Sequence, residues 1–157
     1  MVSSVMTRSL IVALGADHGG VALKDRLAAE LAQAGHQVRD YGTSGTASVD
    51  YPDYAQAVCA AVGTAAADLG VLVCGTGIGM SIAANRHPAI RAGLAHDVTS
   101  ARLTRAHNNA NVLVLGARMI GEQVALDILY AFLTTPYEGG RHDRRLAKLN
   151  PQTEPQP

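Results

Sequence analysis

Residues 73–85, VCGTGIGMSIAAN, place a thiol on the lip of a loop carrying three glycines in five positions. Gly75, Gly77 and Gly79 let backbone N–H groups converge, and a helix starting near Ile78 adds its positive end, so the loop reads as an anion nest. The Cys74 sulfur sits where negative charge is favoured, which suits a base or a nucleophile. Better-known glycine loops fail on spacing. A G-x-G-x-x-G fingerprint from Gly75 needs glycine where Met80 stands, a C-x5-R phosphatase loop needs arginine there, and no G-K-[ST] tripeptide occurs. Taken alone, Cys74 also fits a small buried residue ending a strand. Cys59, in an Ala-rich helical stretch, reads as buried packing.

A second concentration of chemistry lies near the end of the chain. Arg141, His142, Arg144, Arg145 and Lys148 fall within eight residues. Arg141 and Arg145 are four apart and share a helix face, and a pair of guanidinium forks suits a phosphate dianion. Without other motifs the cluster fits a solvated basic surface, and that remains the reading for Arg144 and Lys148. His107-Asn108 closes another helical stretch, where a lone histidine commonly complements the helix dipole. His36, His87 and His96 read as structural. No set of His, Cys or carboxylates has metal-ligand spacing.

Short apolar runs must position these groups. Candidate strands are Leu10–Leu14, Gln37–Tyr41, Leu69–Val73, Arg91–Ala95 and Val112–Leu115. Amphipathic stretches lie between and after them near 20–34, 53–66, 78–86, 98–107 and 121–134, with a last basic helix over 139–149. Such alternation predicts an α/β protein with a parallel sheet and helices on both faces. Ligands of such sheets bind beyond the carboxyl ends of the strands. GADHGG (15–20), the loop at 42–54, CGTGIG (74–79), His96-Asp97 and GARMIG (116–121) all fall there. Asp17 also stands where it could cap the helix near 20–34.

The 157 residues read as a single domain over 1–150, with 1–8 loose and a Pro-rich, polar tail over 151–157. Thirteen basic and thirteen acidic residues cancel, which argues against nucleic acid or a membrane surface as partner. Two cysteines make no disulfide framework, and LIVALGA (10–16) is too short to span a bilayer and does not read as a signal peptide. A cytoplasmic protein with reduced thiols is expected.

From about Leu10 to Leu149 the chain resembles the type B ribose-5-phosphate isomerases, a family that includes galactose- and allose-6-phosphate isomerases. The resemblance rests on GADHGG, DYPDYA, VCGTGIGMSIAAN, ARLTRAHNNANVL, LGAR and YEGGRHDRR, six motifs in the family's order. It implies a three-layer α/β/α Rossmann-like fold with a five-stranded parallel sheet. It also implies no metal or organic cofactor, and a homodimer, or dimer of dimers, with active sites shared between subunits. Some members replace the loop cysteine and use a glutamate a few residues later; with Cys74 and Gly79, this chain resembles the cysteine-using kind.

The resemblance assigns roles. Aldose–ketose isomerisation moves a proton between C1 and C2 and must hold the enediolate's charge. Cys74 is the expected base, Thr76 with the N–H groups of Gly75, Gly77 and Gly79 the oxyanion stabilisers, and Asp17 the proton carrier for the sugar oxygens. His107 is expected to open the furanose ring. His18, Tyr51, Asn108, Arg118, Arg141 and Arg145 are expected to bind substrate. Ribose 5-phosphate and ribulose 5-phosphate are the expected pair. Tetrose 4-phosphates or hexose 6-phosphates are the alternatives, with 42–50 and 96–100 setting the length admitted. A sugar-phosphate-binding protein without catalysis is the rival from another class, but binding alone needs no thiol base, Thr76 and His107 together.

Overall fold

Five short segments carry the sheet: β1 (Ile11–Ala16), β2 (Gln37–Asp40), β3 (Leu69–Cys74), β4 (Ala92–Leu94) and β5 (Val112–Gly116). They pair in parallel in the order β2-β1-β3-β5-β4. The structure, a computed structural model, describes residues 8–149. The segments expected to be loose, 1–8 and 151–157, lie outside it except for Arg8. β3 and β5 are buried at every position, as central strands covered on both faces must be.

The described residues form six helices: α1 (Val21–Gln33), α2 (Tyr51–Gly63), α3 (Ile78–Ala84), α4 (Val98–Ala106), α5 (Glu122–Thr134) and α6 (Arg141–Ala147). Leu27 and Leu31 of α1, Ala101 of α4 and Ile128 and Phe132 of α5 cover one face of the sheet. Val58 and Val62 of α2 with Met80 and Ala84 of α3 cover the other. The result is the expected three-layer α/β/α architecture. Helix α2 begins two residues before the expected stretch, because Pro52 fits a first turn, where its missing N–H costs nothing. No helix among the described residues is long and apolar enough to cross a membrane.

Two features open a site. Strands β1 and β3 are neighbours, yet α1 and α3 leave them on opposite faces, so their loops part and frame a crevice. Buried Lys24 of α1 also reaches Asp40 at 2.6 Å and Asp25 at 2.8 Å, tying the end of β2 beside the first loop. Asp17 does not cap α1. The N-cap is Gly20, without a side-chain bond, while the Asp17 carboxylate accepts the Gly19 N–H at 3.0 Å. Gly20 lies so close to β3 that a Cβ there would meet the Val73 carbonyl oxygen at 2.5 Å, which excludes the usual capping residues.

Candidate active site

The loop after β3 builds the first half. Cys74 is 5% exposed, and its Sγ accepts the Gly77 N–H at 3.1 Å. Gly77 is the N-cap of α3 with φ +77°, and a Cβ there would strike Leu94 at 2.5 Å; glycine alone takes that turn cheaply. Thr76 is exposed, and its Oγ1 accepts the Ile78 N–H at 3.2 Å. With that lone pair engaged, the hydroxyl proton is free to donate outward.

Neighbouring loops converge on this nest. A Cβ on Gly19 would lie 3.6 Å from the Gly75 nitrogen, so the Asp17 turn abuts the glycine loop. His18 Nδ1 accepts the Val49 N–H at 3.2 Å and draws the 42–50 loop toward the crevice. The Tyr51 ring lies over Gly79, where a Cβ would come within 2.5 Å of its Cζ. Beyond β5, the Arg118 N–H donates to the Gly75 carbonyl at 2.9 Å, and its side chain passes along Gly75. Asp17, His18, Tyr51, Cys74, Thr76, the three loop glycines and Arg118 therefore share the carboxyl edge of the sheet.

The remaining predicted residues do not join them. In a parallel sheet each helix runs back toward the opposite edge, so His107, the C-cap of α4, lies near the start of β5. Asn108 follows it, and α6 brings Arg141 and Arg145 to the same side. Arg145, His107, Asn108 and His142 line a cavity of about 250 Å³ there. The five residues of β5 separate the edges by roughly 15 Å at the usual rise per residue, beyond any hydrogen bond. The expected site residues therefore fall into two groups on opposite edges of the sheet.

A profile of the Ribose/Galactose Isomerase family matches residues 12–149. The chain belongs to that family.

Ribose-5-phosphate isomerase B of Escherichia coli is 45% identical to this family member over 138 residues, 88% of this chain and 93% of that protein. D-erythrulose-4-phosphate isomerase of Pectobacterium atrosepticum is 40% identical, over 89% of this chain and 93% of that protein. The crystal structure of a ribose 5-phosphate isomerase from Thermotoga maritima superposes with a TM-score of 0.90 at 48% identity, covering 91% of this chain and 99% of that one. The protein is accordingly a sugar-phosphate isomerase.

Glu138 and His142 lie in the YEGGRHDRR motif, but their contact with His107 does not show in the sequence. Glu138 and His142 bring a carboxylate and a buried imidazole against His107, all three ligand-type atoms within 4.8 Å of one another. The HDRR run shows its charge, but the separation of His107 from His142 along the chain hides their contact.

The isomerase's two thiols are both buried, and only Cys74 receives a backbone N–H. Burial pushes Cys59 up from 9.0 to about 11, and its Sγ has only the Ala84 carbonyl at 4.0 Å. Below pH 9 it stays a neutral thiol. Iodoacetamide at neutral pH is expected to modify Cys74, with loss of activity and protection by substrate, and to leave Cys59 unmodified. Peptide mapping reads both sites; inactivation that tracks Cys59 would contradict the assignment.

Proposed function

We propose that the enzyme interconverts D-ribose 5-phosphate and D-ribulose 5-phosphate at a site assembled from the carboxyl edge of one copy and the opposite edge of a second. The observation that carries this reading is the Cys74 sulfur, held by the Gly77 N–H inside a glycine nest beside Asp17. It supplies a base and oxyanion donors in one place.

The Cys74 thiolate removes the C2 proton of the open-chain aldose. That electron pair forms the C1=C2 bond, and the carbonyl pair moves onto O1. The loop N–H groups and the Thr76 hydroxyl hold the resulting charge; one such donor is commonly worth roughly 10²–10³-fold in rate. Asp17 carries a proton between O1 and O2, and the Cys74 thiol returns its proton to C1, leaving the ketose. Arg141 and Arg145 of the second copy bind the phosphate with Arg118 of the first, while His18 and Tyr51 of the first copy and Asn108 of the second hold the sugar. His107 of that copy opens the ring before the proton moves. Such a division requires a homodimer, alone or within a dimer of dimers, and neither a metal nor an organic cofactor takes part in these steps. The reduced Cys74 thiol it requires fits a cytoplasmic enzyme.

The D-erythrulose-4-phosphate isomerase relative favours a tetrose 4-phosphate as second substrate reading. A kinetic panel of four-, five- and six-carbon aldose phosphates separates them. The pentose is expected to give the highest kcat/KM; preference for the tetrose or hexose would overturn the substrate and leave the chemistry standing.

Removing either Arg141 or Arg145 is expected to cost about 1.5–3 kcal/mol of substrate binding, the usual worth of a charged hydrogen bond. The phosphate is remote from the proton transfer, so KM should rise more than kcat falls. Unchanged KM and unchanged inhibition by inorganic phosphate in both variants would make the pair solvated surface.

A further inference from the structure

The strap between α5 and α6, residues 135–140, is pinned to the end of α4. The Glu138 N–H donates to the Ala106 carbonyl at 3.0 Å, one residue before His107. Gly139 and Gly140 follow with φ of 66° and 58°, a pair of left-handed turns that glycine takes cheaply. They turn the chain so that His142, 5% exposed, packs against His107. The two rings stack with centroids 4.5 Å apart and planes 19° from parallel. Glu138 Oε2 stands 3.4 Å from His142 Nε2 and 3.9 Å from His107 Nε2. His142 Nε2 is buried without a hydrogen-bond partner, a state that normally costs free energy unless a neighbour relieves it. The half-exposed Glu138 carboxylate stands closest to it, at 3.4 Å. The three side chains do not converge as metal ligands, because nearly parallel rings hold their in-plane lone pairs side by side and no ion lies in both planes.

We propose that Glu138 and His142 are positioning residues for His107: the stacked His142 ring fixes the plane of the His107 imidazole, and the Glu138 carboxylate fixes which nitrogen carries the proton. This rests on the reading of His107 as the ring opener. A carboxylate only accepts; Glu138 Oε2 faces His107 Nε2 at 3.9 Å, beyond hydrogen-bond distance, so it acts through its charge, favouring hydrogen on Nε2 and leaving Nδ1 as the free lone pair. In ring opening Nδ1 takes the O1 proton, and the O1–H pair becomes the C1=O bond. The C1–O4 bond breaks with its pair on O4, and O4 takes that proton from Nδ1. Glu138 stabilises the imidazolium between the two transfers. The strap thereby couples the helix bearing the phosphate arginines to the acid–base group beside it.

Glu138→Gln and His142→Ala in the full chain test this, with His142→Phe as the variant that keeps a stacking ring. Without substrate, ¹⁵N spectra of the ring nitrogens should show His107 with hydrogen on Nε2 in the wild type and a mixture of tautomers in Glu138→Gln. The kcat on ribose 5-phosphate should fall roughly tenfold or more in Glu138→Gln and His142→Ala, as for a weakened acid–base group. KM should hold, turnover of a tetrose phosphate should be spared, and His142→Phe should recover most of the rate lost in His142→Ala. An unchanged ring-nitrogen spectrum in Glu138→Gln, or no rescue by phenylalanine, overturns the inference. A changed spectrum with equal losses on pentose and tetrose supports the positioning and removes ring opening as its purpose.

Discussion

Cys74→Ala is expected to abolish isomerisation while leaving the fold and phosphate binding nearly intact. The proton between C1 and C2 has no other proposed acceptor, and loss of a positioned base commonly costs roughly 10²–10⁴-fold. The structural cost is small by comparison. Alanine fits the space of a small buried side chain, and what is lost is one contact from the Gly77 N–H to sulfur, worth about 1 kcal/mol as a hydrogen bond. The proposed phosphate ligands, Arg141 and Arg145, stand on the other edge of the sheet and should not feel the change. Cys74→Ser keeps an acceptor for Gly77 but not the nucleophilicity of a thiolate, so it should be folded and nearly inactive. Steady-state turnover, with phosphate inhibition as the binding control, checks each part. Full activity in Cys74→Ala would sink the base assignment.

The second large effect concerns ring size. Ribose 5-phosphate closes a furanose through O4, so an enzyme must open that ring or wait for the scarce free aldehyde. Erythrose 4-phosphate carries its phosphate on O4 and cannot close the same ring. His107→Ala should therefore lower pentose turnover by roughly a hundredfold or more, the range of a general acid–base group, and spare the tetrose. His107 is a C-cap, so its loss also removes a side chain from the end of α4. The tetrose measurement is the internal control for that structural cost. Equal losses on both substrates would assign His107 to the enediolate step or to architecture.

Much of this molecule is legible in its sequence, for reasons particular residues make plain. LGVLVC and VLVLG are continuous apolar runs bounded by turns, and such runs become central parallel strands because both faces must be covered. Glycines at 75, 77 and 79 announce a nest, and Gly77 does adopt the left-handed turn that makes one. What local sequence obscured were relations across the chain. Asp17 looked able to cap α1, but the approach of Gly20 to Val73 decided the helix start instead. His107 and His142 are far apart in sequence, and their stacking depends on a glycine pair that turns α6 back onto the end of α4. The separation of Cys74 from His107 follows from a general rule, that a helix after a parallel strand ends at the opposite edge. Motif reading collects functional residues without asking which edge each one occupies.

A mixture of two inactive variants tests the two-copy site most directly. Cys74→Ala and His107→Ala subunits are refolded together in equal amounts and assayed on ribose 5-phosphate. If each site joins Cys74 of one copy to His107 of another, every mixed dimer contains one site with both residues intact and one lacking both. Random pairing then restores about a quarter of wild-type activity, as follows for an interface related by two-fold symmetry. A mixture no more active than its two parents, with mixed dimers demonstrably formed, would contradict the assembly of the site from opposite edges of two chains.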